Sequence, residues 1–118
     1  MKPGASYRPI EVDINSIQVR TIVKNGKTLF SFGDLGEAFG LHLRSRPMQI
    51  QMKAFERMNC ILSISLVSGK KNYRFLEFAT FQKIVENAMM EDVQDGKYSV
   101  EEAGAILSKI RRYSSQFS

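Results

Sequence analysis

Few residues of the kinds that build disulfides, zinc sites and catalytic centres occur in this sequence. Its 118 residues include one cysteine, Cys60, and one histidine, His42. A single cysteine excludes an internal disulfide, and it favours a reducing, cytosolic compartment. A structural zinc ion requires several Cys or His ligands, so two such residues exclude a single-chain zinc site of the usual kind. We therefore expect the protein to hold no metal and no other cofactor.

Long apolar runs and targeting signals are also missing. The apolar segments are short and interrupted by charged residues, so none has the length that a membrane span requires. The opening residues, MKPGASYRPIEVD, contain a lysine but no apolar run of the kind found in secretory signals. The sequence predicts a cytoplasmic protein without a membrane partner.

No catalytic motif is recognisable. His42 lies between Leu41 and Leu43, and no carboxylate or nucleophile accompanies it at a spacing that would indicate a catalytic site. The glycines between residues 33 and 40 lack the Gly-Lys-Ser/Thr ending of a phosphate-binding loop and fit neither nucleotide-binding fingerprint. We predict that the protein is not an enzyme.

The most informative feature that is present is an uneven distribution of charge. Residues 14–76 carry ten Lys and Arg against three Asp and Glu, whereas residues 77–102 carry two against seven. Such a distribution is typical either of an ordinary solvated surface or of a basic face that meets phosphates or an acidic protein.

The clearest local signal is Asn25-Gly26, which lies between two strand-like segments and follows a shorter alternating segment that begins at Ile10. Asn and Gly tolerate the positive φ of a type I′ turn, so we predict a hairpin in which Lys24 faces Lys27. The predicted core face carries Val19, Val23, Phe30 and Phe32. The opposite face carries Arg20, Lys24, Lys27, Ile22 and Leu29. That face is exposed at its tip but apolar further down, so either another element of the chain or a protein partner partly covers it. Ile22 and Leu29 are therefore a candidate protein interface.

Two helices are predicted after this hairpin. Asp34 is a suitable N-cap for a short helix that ends at Gly40, and Ser45 with Pro47 marks the start of a second helix. The predicted core stripe of the second helix consists of Met48, Met52 and Phe55, widened by Ile50 and Ala54. Its basic residues fall mostly off this stripe, which gives the helix a basic outer face.

A second hairpin and two more helices complete the pattern. A type II′ turn at Gly69-Lys70 would pair Leu66 with Tyr73 and Ile64 with Phe75. Apolar residues at helical spacing from Phe81 predict a third helix capped by Thr80, and Ser99 with Glu102 begins a fourth as a capping box.

Together these elements predict an α+β fold in which two antiparallel β-hairpins form a small sheet packed against about four helices. One domain is expected over residues 10–113, after a flexible lead-in at residues 1–9 and before a frayed tail at residues 114–118.

The basic residues are the candidate binding site. Direct DNA binding would use the helix over residues 44–57 and the second hairpin, because a short helix, a turn and a basic helix superficially match a helix-turn-helix. The alternative is that these charges only keep the surface soluble. The candidate residues for binding nucleic acid or a partner are Arg44, Arg46, Lys53, Arg57, Lys70, Lys71 and Arg74.

Much of the chain, from about Ile14 to Glu86, resembles the amino-terminal domain of phage antirepressor proteins, which is related to the Bro-type amino-terminal domain. The stretches that carry the resemblance are VRTIVKNGKTLFSF, GDLGEAFGLHLRSRPMQIQMK and NCILSISLVSGKKNYRFLEFATFQKIV. The positions that match the layout of the family are Asn25, Gly26, Gly40, Leu41, Arg44 and Ser45.

The resemblance implies a regulator from a phage or another mobile element that acts in the bacterial host cell. Antirepressors of this kind bind a repressor protein and relieve transcriptional repression, whereas Bro-type domains are credited with DNA binding. The predicted function is therefore binding to a repressor protein, which relieves transcriptional repression. Direct DNA binding and an unrelated structural or interaction role are the alternatives. Because many members have a second domain that this sequence lacks, a homo-oligomer formed through the helix from Ser99 is a further hypothesis.

Overall fold

The computed structural model describes residues 7–65 and 72–117, and these residues form an α+β fold. Its strands are β1 (Ile10–Ile14), β2 (Ile17–Lys24), β3 (Lys27–Ser31), β4 (Ile61–Ser65) and β5 (Asn72–Leu76). Its helices are α1 (Phe32–Phe39), α2 (Arg46–Arg57), α3 (Phe78–Gln94) and α4 (Val100–Phe117). The strands form one antiparallel sheet in the order β1-β2-β3-β5-β4. The predicted fold class is confirmed.

The turn between β2 and β3 is the one that Asn25-Gly26 predicts. Both residues have positive φ, 53° and 76°, and Lys24 lies opposite Lys27. A second two-residue turn with positive φ, at Asn15-Ser16, joins β1 to β2. The first predicted strand is therefore part of a further hairpin, which the sequence pattern did not predict.

Burial on the first hairpin agrees only partly with the predicted core face. Val19 and Phe30 are buried, as predicted. Val23 is 58% exposed, since it lies two residues from the solvent-exposed turn. Phe32 is buried but begins α1 instead of extending β3.

The opposite face of the sheet carries a second hydrophobic cluster. Ile22 is only 2% exposed because it packs with Ile64 and Phe75, and Leu29 is partly buried against the same cluster. The alternative that another element of the chain covers this face is therefore confirmed, and Ile22 and Leu29 do not form an exposed protein interface. Their apolar surface is used within the chain itself. Tyr7 also packs against this cluster, so the predicted flexible lead-in does not extend through residue 9.

Local capping explains where α1 and α2 begin. The Ser31 hydroxyl accepts a hydrogen bond from the Asp34 amide at 3.3 Å, so α1 starts earlier than the predicted Asp34 cap. Gly40, at φ 67°, ends α1 as predicted. Ser45 caps α2 by accepting from the Met48 amide at 3.3 Å, and Pro47 lies in the first turn, which confirms that prediction.

The capping predictions for the last two helices have different outcomes. Helix α3 begins at Phe78, before the predicted Thr80 cap. The capping box of α4 is confirmed, because the Ser99 amide donates to Glu102 Oε1 at 2.8 Å and the Glu102 amide donates to Ser99 Oγ at 3.0 Å.

The register of the second hairpin differs from the prediction by two residues. Ile64 lies opposite Tyr73 and Leu62 opposite Phe75. The faces are unchanged, because side chains alternate with a period of two along a strand. Leu66 and the predicted turn at Gly69-Lys70 lie outside the described residues.

The main core lies between the sheet and the helices and is closed by the end of α4. This helix continues through Phe117, whose ring lies 5.0 Å from that of Phe30 and 5.5 Å from that of Phe78. The predicted frayed tail is therefore wrong for residues 114–117. An aromatic side chain that fills the core compensates the entropy cost of ordering the helix end.

Candidate nucleic-acid interface

The outer face of α2 carries a row of basic side chains. Arg46, Ile50, Lys53 and Arg57 follow the helical spacing i, i+4, i+7 and i+11, and all four are exposed. The three cations form no ion pair with any other described residue. We call these four residues the α2 stripe. The prediction that Ile50 widens the core is wrong, because half of its surface is exposed between the cations.

Helix α2 is held in place mainly by α3. Met48 and Met52 are buried on its inner side, and Asn87 of α3 donates a side-chain hydrogen bond to Gln51 Oε1 at 3.0 Å. At the start of α2 the capping hydroxyl of Ser45 donates to Asp92 Oδ2 at 3.1 Å. The Asp92 side chain is fully buried, and burial raises its pKa although the hydrogen bond from Ser45 opposes the effect. A residue near the end of α3 thus fixes the start of α2.

The connection between α1 and α2, residues 40–45, is anchored by backbone hydrogen bonds. The His42 amide donates to the Tyr98 hydroxyl at 2.6 Å, and the rings of these residues lie 4.9 Å apart. Gln49 Nε2 donates to the Leu43 carbonyl at 2.8 Å. The connection is longer than the tight turn of a helix-turn-helix, and α2 packs chiefly against α3. The superficial match to that motif is therefore not reproduced by the fold.

Because residue 36 is a glycine, the connection between α1 and α2 can pack closely against α1. Gly36 is buried in α1, and a Cβ placed there would lie 2.5 Å from Leu43 Cγ. We expect Gly36→Ala to lower the free energy of unfolding by about 1–2 kcal/mol, because the overpacking cost exceeds the helix propensity that alanine gains. Urea denaturation followed by circular dichroism measures this change.

Gly33 provides the matched control on the same helix. A Cβ at Gly33 would meet no heavy atom within 4 Å, so Gly33→Ala should leave stability unchanged or raise it slightly. Equal stability of the two alanine variants would show that Leu43 does not press against Gly36.

A cleft of about 610 Å³ opens between the β4–β5 hairpin and the α1–α2 connection. It forms where β3 ends at Ser31 while β5 continues, since β3 and β5 pair only through Phe30–Leu76 and Ser31–Phe75. Arg44 and Arg74 both line this cleft. The fold thus brings together two candidate residues that are distant in sequence.

One wall of the cleft is a network centred on Arg20. Its guanidinium binds Asp34 through two hydrogen bonds of 2.8 Å and lies 4.4 Å from the centroid of the Tyr73 ring. Burial alone would raise the pKa of Asp34, but hydrogen bonds and charge from Arg20 outweigh it and lower that pKa. The hydrogen bond to Asp34 in turn raises the pKa of Arg20. The sequence contained no signal for this pairing.

The second hairpin joins α2 through a different ion pair. Arg74 Nε lies 3.3 Å from Glu56 Oε2, and both side chains are substantially exposed. On the same hairpin the Ser65 hydroxyl donates a hydrogen bond to Asn72 Oδ1 at 2.8 Å.

The single cysteine, Cys60, is exposed and lies between α2 and β4. The predicted site residues Lys70 and Lys71 lie outside the described residues.

The structure therefore divides the described candidate residues between two neighbouring places. Arg46, Lys53 and Arg57 lie on the α2 stripe, and Arg44 and Arg74 line the cleft. Within residues 7–65 and 72–117 no group of three His, Cys, Asp or Glu is placed to hold a metal ion. No helix in those ranges is long and apolar enough to cross a membrane.

Comparison with known proteins finds no match: no protein-family model, no curated protein and no solved structure matches the chain.

Proposed function

We propose that the protein binds double-stranded DNA through the α2 stripe, as a non-enzymatic regulator of the phage or mobile-element kind that its sequence resembles. The observation that supports this function best is the row of three exposed cations, none of which has an ion-pair partner within residues 7–65 and 72–117. Such cations can displace the counterions of a phosphate backbone.

The dimensions of the stripe suit a groove of DNA. Arg46 and Arg57 lie eleven residues apart, which corresponds to about 16 Å along an α-helix. The major groove of B-form DNA admits one helix, whose flanking cations reach the phosphates on either side. Ile50, exposed among these cations, is suited to contact a thymine methyl group at the floor of the groove.

Fluorescence anisotropy with a short labelled duplex tests the proposal. Binding should weaken with salt, and a footprint of about five phosphate contacts predicts a log–log slope near −4 to −5. Arg46→Ala, Lys53→Ala and Arg57→Ala should each weaken binding about threefold to tenfold and flatten the slope by about 0.9. The expected loss is the same for random duplexes, because a phosphate contact carries no sequence information.

Lys109→Ala is the matched control, since Lys109 is an exposed cation on α4 without an ion pair in the described part of the chain. It removes one positive charge while leaving the α2 stripe intact. Equal losses of affinity for Lys53→Ala and Lys109→Ala would show that binding depends only on the net charge of the protein. That result would contradict the proposed interface. Absence of duplex binding at low salt would contradict the function itself.

A repressor protein is the second candidate partner for the same face. It is favoured by the exposed Ile50 and Met58, because protein interfaces combine apolar side chains with arginine. The interface that the sequence suggested, Ile22 and Leu29, does not support this candidate, since both side chains pack within the fold. A repressor complex would persist at about 0.5 M salt, where a complex held by phosphate contacts dissociates.

A further inference from the structure

The cleft beside the α2 stripe contains two kinds of arginine. Arg20 is fully engaged by Asp34 through two hydrogen bonds of 2.8 Å, and its side chain is 30% exposed. Arg44 is exposed and has no ion-pair partner among the described residues. Arg20 thus belongs to the framework of the cleft, and Arg44 is free to meet a ligand.

Arg74 is intermediate between these two. Its single approach to Glu56 is 3.3 Å, and the two side chains are 46% and 37% exposed. Exposed ion pairs of this kind contribute little to stability, so a phosphate can replace the carboxylate at little cost. Phosphate can also bind Arg74 through two parallel hydrogen bonds, whereas Glu56 approaches it only through Nε.

Neutral groups of the second hairpin extend the same surface. Ser63 and Asn72 line the cleft together with Arg74. The side-chain oxygen Oδ1 of Asn72 accepts a hydrogen bond from the Ser65 hydroxyl. The Nδ2 group of Asn72 has no hydrogen-bond acceptor among the described residues. The hairpin therefore contributes an amide donor and a guanidinium to the same cleft that Arg44 lines.

We propose that this cleft binds a backbone phosphodiester of the DNA that contacts the α2 stripe, with Arg44 and Arg74 as its cationic walls and Glu56 as the carboxylate that the phosphate displaces from Arg74. The inference rests on the proposed function and adds a second contact element to it. Helix α2 lies in a groove, and the β4–β5 hairpin holds the adjacent strand. Glu56 keeps Arg74 oriented in the free protein and competes with DNA for it.

Removing the competing carboxylate gives a test in which the affinity for DNA is expected to rise. Glu56→Gln should tighten duplex binding, measured by anisotropy at fixed salt, about threefold to tenfold. The matched control is Glu86→Gln, which makes the same change in net charge and breaks a comparable pair, Arg111–Glu86 at 3.6 Å. It should change the affinity less than twofold. An equal gain from both glutamine variants would overturn the exchange mechanism.

A double-mutant cycle assigns the effect to Arg74. Arg74→Ala should weaken binding about fivefold in the wild-type background and more strongly in the Glu56→Gln background, because Arg74 is then free for the phosphate. Arg74→Lys should restore only part of the affinity, since lysine keeps the charge but not the two-pronged geometry. Circular dichroism and urea denaturation of each variant verify that the fold is kept.

The outcomes separate this inference from the proposed function. If the stripe variants weaken binding while Arg44→Ala and Arg74→Ala leave it unchanged, the cleft does not contact DNA and only the inference fails. If wild-type protein does not bind the duplex at low salt, the proposed function fails and the inference with it. Additive effects of Glu56→Gln and Arg74→Ala would overturn the exchange of Glu56 for a phosphate.

Discussion

Replacing Phe117 by alanine is expected to lower the free energy of unfolding by about 3 kcal/mol and the Tm by about 10 °C. The reason is that the Phe117 ring is part of the aromatic core, in edge contact with Phe30 and tilted against Phe78. It also stacks on Tyr113 at 6.1 Å. Phe117 is partly buried against the core, so truncation removes these contacts and exposes the rings that it covers. Thermal and urea denaturation measure the loss.

The neighbouring Gln116 supplies the control, because it occupies the same helix turn but is exposed. Gln116→Ala should change the free energy of unfolding by less than about 0.5 kcal/mol. A frayed helix end would give equally small effects at both positions, so a small loss for Phe117→Ala would contradict the packing described for α4.

Removing the charge of Asp34 is expected to cost about 2 kcal/mol at neutral pH, between the values for exposed and buried ion pairs. In Asp34→Asn the guanidinium of Arg20 loses its anionic partner. The carboxylate also accepts the Arg20 backbone amide at 3.0 Å, and this bond weakens with the charge. The side chain of Asp34 is only 13% exposed, so water replaces these interactions poorly.

The pH dependence of this loss has a defined sign. The pKa of Asp34 is lower in the folded protein than in the unfolded chain. Its contribution to stability is therefore complete above the unfolded value of about 3.9 and declines as the pH falls through the lower folded value. The difference between wild type and Asp34→Asn should be constant from about pH 7 to 5 and should shrink below about pH 4.

Glu37→Gln is the control for this experiment, since Glu37 is an exposed carboxylate on the same helix without an ion pair among the described residues. It should alter stability at pH 7 by less than about 0.5 kcal/mol. A loss for Asp34→Asn that is no larger, or one that persists unchanged at pH 3, would show that the pair with Arg20 does not stabilise the fold.

Features that depend on a few neighbouring residues could be predicted from the sequence. The Asn25-Gly26 turn, the Ser45 cap and the capping box from Ser99 to Glu102 all occur as expected. In each of them the hydrogen-bond partners or dihedral angles lie within four residues of one another. Local stereochemistry alone therefore decides the outcome.

Features that depend on distant partners could not be predicted in this way. Alternation places Ile22 opposite the predicted core face, but Ile64 of β4 and Phe75 of β5 pack against it, and these strands join the first hairpin only through tertiary pairing. A polar tail predicted fraying at Phe117, which instead reaches the core formed by β3 and α3. Periodicity identifies an apolar side, but it does not specify which other element covers that side.

In the candidate site, too, local features could be predicted from the sequence and features that depend on distant partners could not. The cations on α2 could be assigned to one outer face because helical periodicity alone places them there. The cleft could not be predicted, since it depends on the early end of β3 and is lined by residues as distant in sequence as Arg44 and Arg74. The pairing of Arg20 with Asp34 could not be predicted either, because it joins β2 to α1 across 14 residues.

The position of the single thiol makes the protein its own spectroscopic probe. Cys60 is exposed and lies three residues beyond Arg57, between the helix proposed to enter the groove and the hairpin proposed to hold the adjacent strand. Because no other cysteine exists in the chain, a maleimide dye or nitroxide would attach at one defined place. Docking of a duplex against either element would change the mobility of that label, so the contact could be followed in the otherwise unaltered protein.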